Sequence, residues 1–190
     1  MLLGLKQRFT LLWFYAATGF FIDLLSTSIK LAFHNNPNWL YNVFVLSEFL
    51  FISFFYRRII FRNNYLFLFL TGGFALFFAL QSVIYFPNNF NTFGASIFCA
   101  VYIVYGILGF YQLMKRQESL FLGNSFFFWA NTGIFIYAAS TFLIFLFRYY
   151  MQEKDDNLFN TIWKTFFMIV NIQRYLLIGI ALYKKGKFLT

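Results

Sequence analysis

Apolar residues fall into six long runs separated by short polar stretches. The runs are about Phe9–Phe33, Trp39–Phe61, Tyr65–Phe86, Phe93–Met114, Phe126–Phe147 and Phe159–Tyr183. Each matches the roughly 20 residues that a helix needs to cross a hydrocarbon core about 30 Å thick. In lipid a helix satisfies its own backbone, so runs of this length predict transmembrane helices. The expected fold is an all-α integral membrane bundle of six transmembrane helices, up-and-down with short loops, forming a single transmembrane domain over residues 1–190.

The polar stretches alternate in character. His34-Asn35-Asn36-Pro37-Asn38 and Pro87-Asn88-Asn89-Phe90-Asn91 carry no Lys or Arg. Arg57, Arg58 and Arg62 mark the second connection, and Lys115 and Arg116 the fourth. Lys6 and Arg8 precede the first run, and Lys184, Lys185 and Lys187 follow the last. One side therefore gathers ten basic residues. The other has Arg148 and Lys154, diluted by Glu153, Asp155 and Asp156. The positive-inside rule then places both termini and the basic connections in the cytoplasm. The first run is expected to stay as a helix rather than act as a cleaved signal. It is too long, contains Asp23 and Lys30, and lacks a small-residue cleavage site before Asn35.

Composition agrees with lipid as the solvent. The chain is 61% hydrophobic and 11% charged, with 33 Phe among its 190 residues. A soluble domain carries about 25% charged residues. The net charge of +9 clusters at the ends of the runs, so it reads as topology and not as a nucleic-acid surface. Cys99 stands alone, which excludes an internal disulfide. His34 is the single histidine, which leaves no multi-histidine metal site. No cofactor is expected. No phosphate-binding loop, nucleophile elbow, zinc signature or dinucleotide fingerprint occurs, and an enzymatic role is not expected.

The candidate chemistry lies inside the runs. Asp23, Glu48 and Arg174 fall near the middle of the first, second and sixth. An unpaired charge at that depth costs roughly 2.5–3.5 kcal/mol on insertion scales, so the three are expected to face one another. Asn171, three residues before Arg174, shares its face, and Asn42 precedes Glu48 on the second helix. One guanidinium can hold two carboxylates in a low-dielectric site. A cluster of this kind binds a ligand, moves a proton or switches packing, or else it is a buried ion pair that sets helix register. Lys30, His34 and Lys164 lie near the outer ends of their runs, away from the cytoplasmic side. They either snorkel to the headgroups or form a basic rim to a vestibule.

Single polar residues, Gln81 and Asn131, suit interhelical hydrogen bonds. Gly72-Gly73, Gly106 with Gly109, and Gly133 are spots where helices can approach closely or hinge. Asn91-Thr92, Asn160-Thr161 and Asn42 recur near helix starts, where an Asn or Thr can cap backbone N–H groups. Duplicated helical hairpins are the alternative origin of that echo. Trp13, Trp39, Trp129 and Trp163 sit toward run ends, as interfacial belts do.

Tyr41-Asn42 with Glu48, then Phe55-Tyr56-Arg57-Arg58, and the run from Phe128 to Tyr137 form a pattern. On it, the stretch from Asn35 to Lys185 resembles a family of small, uncharacterised bacterial polytopic membrane proteins, some accompanying histidine kinases. The resemblance implies a sensor or accessory module. The leading expectation is thus a non-enzymatic membrane module that senses a ligand or scaffolds a partner membrane or cytoplasmic protein. A small proton-coupled transporter using Glu48 or Asp23 is the second reading, and an intramembrane lipid-modifying enzyme the third.

Overall fold

In the computed structural model, the described residues are 38–61, 63–86, 89–115, 123, 125–154 and 156–186, with scattered positions between 10 and 29. The fold is all-α, and the described residues contain no strand. Described positions between 10 and 29 are helical, and five complete helices follow. They are α1 (Asn38–Ile60), α2 (Asn64–Ile84), α3 (Thr92–Lys115), α4 (Phe126–Lys154) and α5 (Asp156–Gly186). All five are long and apolar enough to cross a membrane, over Trp39–Arg57, Asn64–Ile84, Thr92–Lys115, Phe126–Arg148 and Thr165–Lys184.

Two compact units divide the chain, residues 1–94 and 95–190. In the first, Phe49 meets Phe74 and Phe54 meets Phe67, edge to face, so α1 and α2 run antiparallel. Their tight turn is capped by Asn63, whose side chain accepts from the Tyr65 amide at 2.9 Å. The Arg57 guanidinium covers the Phe67 ring at 5.3 Å. On α2 only Phe67, Thr71 and Phe78 are buried, at helical spacing, while Tyr65, Phe69 and Val83 are widely exposed. That surface is the expected lipid-facing one.

In the second unit, α3 and α4 run antiparallel. Cys99 lies near one end of their contact, its Sγ 3.4 Å from the Thr141 hydroxyl, and the Asn131 amide donates to the Gly106 carbonyl at 3.0 Å further along. A Cβ on Gly106 would meet Phe135 at 2.7 Å, and one on Gly109 would meet Asn131 at 2.6 Å. These glycines permit the close approach that their small size suggested. Gly133 does the same for α4 and α5, where a Cβ would lie 3.1 Å from Leu177. Gly72 and Gly73 differ: a Cβ on either meets nothing within 4 Å, so they mediate no close approach.

The last two helices are longer than their apolar runs. Helix α4 continues to Lys154, past the expected end at Phe147, and α5 begins at Asp156, ahead of Phe159. The reason is in the sequence. Between Arg148 and Lys164 there is neither Gly nor Pro, whereas three of the other connections contain Pro37, Pro87 or Gly123. The polar residues from Arg148 to Lys154 and from Asp156 to Asn157 include no such breaker and are helical.

Candidate functional site

Each unit carries its own buried polar centre. In the first, Glu48 is 3% exposed on α1. The hydroxyl of Tyr15, itself 1% exposed, donates to Glu48 Oε1 at 2.7 Å. A carboxyl in hydrocarbon is costly unless donors satisfy it, and a phenol is a donor that itself tolerates burial.

Asn42, on the same helix, is engaged elsewhere. Its Oδ1 accepts from the Asn91 amide at 2.9 Å, and its Nδ2 donates to the Asn89 carbonyl at 3.0 Å. Asn91 caps α3 by accepting from the Gly94 amide at 2.9 Å. It also donates to Gln81 Oε1 at 3.2 Å and to Ser82 Oγ at 3.1 Å. Asn91 is fully buried. The loop into α3 is therefore tied to α1 and α2 by side-chain amides that can donate and accept at once. Gly94 completes the fit, since a Cβ there would lie 2.5 Å from Phe78.

In the second unit the centre is Arg174 on α5, 2% exposed. Its guanidinium donates to Asn171 Oδ1 at 2.7 Å and to the Tyr175 hydroxyl at 3.3 Å. Asn171 in turn donates to the Phe167 carbonyl at 2.9 Å. The guanidinium carbon lies 3.8 Å from the Tyr137 ring centre and 4.9 Å from that of Tyr175. Arginine suits this setting because its planar, weakly hydrated cation stacks on rings while donating in plane.

An aromatic ladder approaches this centre along α4 and α5. Trp163 stacks on Phe167 at 5.0 Å with a 7° interplanar angle, and Phe167 meets Tyr137 at 6.4 Å. Phe145 touches both Trp163 and Phe167, and Arg148 lies over Trp163 at 6.0 Å.

Of the residues singled out from sequence, Arg174 and Asn171 are joined. Glu48 and Asn42 share α1 but serve different contacts, and Glu48 and Arg174 belong to different units. Asp23, Lys30 and His34 lie outside the described residues, and Lys164 is described only as part of the α5 backbone. Gln81 and Asn131 make the hydrogen bonds expected of them, to Asn91 and to the Gly106 carbonyl. The aromatic partners Tyr15, Tyr137 and Tyr175 were not separable in sequence from the other tyrosines. Only the adjacency of Tyr175 to Arg174 hinted at its part. No group of three or more His, Cys, Asp and Glu suited to a metal occurs among the described residues.

No family model matches the chain, and neither a curated protein nor a solved structure matches it.

Proposed function

We propose that the chain is a non-enzymatic multi-pass membrane module that senses a ligand or holds a partner protein. The observation that carries this reading is Arg174, buried in a membrane span and held by Asn171, Tyr175 and the Tyr137 ring. An ionisable side chain at such depth marks a functional position by default. Its contacts are of a holding kind, with amide, phenol and ring rather than a base poised against a nucleophile. The basic connections support a reading in which both termini lie on the cytoplasmic side of a bacterial inner membrane. There a cytoplasmic or membrane partner would read the state of the bundle.

The test is purification from native membranes in a mild detergent, with mass spectrometry of what accompanies the chain. A stoichiometric partner supports the module. A chain that emerges alone, as a tight monomer or homo-oligomer, counts against it.

The buried carboxyl of Glu48 favours one second reading, a small proton-coupled transporter acting through Glu48 or Asp23. Glu48→Gln separates the two. The amide keeps an oxygen for the Tyr15 hydroxyl, so the fold should survive while proton-coupled uptake is lost. A module without transport has no uptake to lose.

A further inference from the structure

Several hydroxyls in the helices bond back to their own backbone. Thr18, Ser28, Thr132 and Thr141 each donate to the carbonyl four residues earlier, at 2.7–2.9 Å, and Ser47 donates three residues back at 2.8 Å. Ser53 on α1 and Thr71 on α2 do not. Both are buried, at 0% and 4% exposure, and among the described residues neither hydroxyl meets a hydrogen-bond partner. A dry hydroxyl without a partner is a cost that folded chains ordinarily avoid.

The two stand opposite each other. Ser53 lies four residues after Phe49 and four before Arg57, and these two meet Phe74 and Phe67 of α2. Thr71 lies four residues after Phe67 and three before Phe74. Both positions therefore face the seam between α1 and α2, at about one level, bracketed by the same two contacts.

Beside Thr71 the helix is soft. Gly72 and Gly73 follow it directly, and neither has a packing role, since a Cβ on either would meet nothing within 4 Å. Glycine holds helix geometry less firmly than alanine. The pair also divides α2 into unlike halves. After it, Gln81 and Ser82 accept from the Asn91 side chain, so directed bonds fix that half. Before it, Phe67 is held by the Phe54 and Phe61 rings and the Arg57 guanidinium. Apolar contacts are non-directional and survive a small shift.

We propose that α2 is a two-state helix hinged at Gly72-Gly73. In one state the Ser53 and Thr71 hydroxyls are unbonded. In the other, the half carrying Thr71 moves toward α1 and the Thr71 hydroxyl donates to the Ser53 hydroxyl. The bond gained offsets the bending of the helix, so the two states lie close in free energy and exchange. The hinge stands whether the chain proves to be a module or a transporter.

The experiment is fluorine NMR with saturation transfer on the full chain in lipid nanodiscs. A trifluoromethyl tag is attached through Leu68→Cys, an exposed position before the glycines, in a Cys99→Ala background. A second state should appear at about 1–10% of the population. Ser53→Ala and Thr71→Val each remove one hydroxyl at nearly constant shape. Each should lower that population about fivefold, the effect of one lost hydrogen bond. Gly72→Ala combined with Gly73→Ala should lower it several-fold, and an unchanged main signal shows that each variant is folded. A single state in the wild type overturns the hinge. A second state that neither hydroxyl substitution depletes overturns the Ser53–Thr71 bond, and one that the paired glycine substitution does not deplete overturns the place of the hinge.

Discussion

The guanidinium of Arg174 lies 3.8 Å from the centre of the Tyr137 ring, so α5 delivers a cation onto the face of an aromatic residue of α4. A desolvated cation–π contact is worth about 2 kcal/mol. Tyr137→Leu keeps an apolar side chain and removes the ring. It should destabilise the chain by about that amount, read as a lower midpoint for unfolding in mixed micelles. Arg174→Lys should be destabilising too, because an ammonium cannot stack on Tyr137 while donating in plane to Asn171 and Tyr175.

Asn91 serves α1, α2 and α3 together: its backbone N–H donates to Asn42, while its side chain donates to Gln81 and Ser82 and accepts from the Gly94 amide. Asn91→Ala removes a helix cap worth about 1 kcal/mol and interhelical bonds worth about 0.6–2 kcal/mol each. The loss should exceed that of capping Asn63→Ala, whose single bond to the Tyr65 amide is at an exposed turn. Equilibrium unfolding of the two variants side by side checks the order.

Glycine substitutions should divide sharply. Gly109→Ala drives a methyl group into Asn131 and threatens its bond to the Gly106 carbonyl, at a cost of about 1–3 kcal/mol. Gly72→Ala and Gly73→Ala meet open space and should be neutral or stabilising by up to about 1 kcal/mol, as expected for Gly→Ala in a helix. Thermal stability of the three variants in one detergent is the measurement. Equal losses at all three would contradict the packing described.

Tyr15→Phe deletes the donor to Glu48 Oε1 and nothing else of the ring. Weakening the satisfaction of a buried carboxyl costs about 1–3 kcal/mol. Glu48→Gln should cost less, because the amide oxygen still accepts from Tyr15. A double-mutant cycle should return a coupling between the two positions.

Much of this was legible in the sequence. The runs gave the helices, because length and hydropathy are all that a span requires. Asn131 and Gln81 announced their hydrogen bonds, since an amide in hydrocarbon must find a partner. What could not be read was facing. The spans are apolar on nearly every side, so neither period nor pattern reveals which face meets a neighbour. Gly72 and Gly109 are thus alike in sequence and opposite in setting. For the same reason Tyr15 and Tyr137, among 13 tyrosines and 33 phenylalanines, gave no sign of the polar groups they hold. The helical continuation from Arg148 to Lys154 escaped because polarity was read as loop, although neither Gly nor Pro stands there.

The most direct test compares the wild type with Arg174→Lys, each purified from native membranes in mild detergent and matched for helix content. The expected result is a stoichiometric partner protein on the wild type that is largely lost from the Arg174→Lys chain. A wild-type chain that runs alone, or a partner held equally by both chains, would contradict a module that works through its buried arginine.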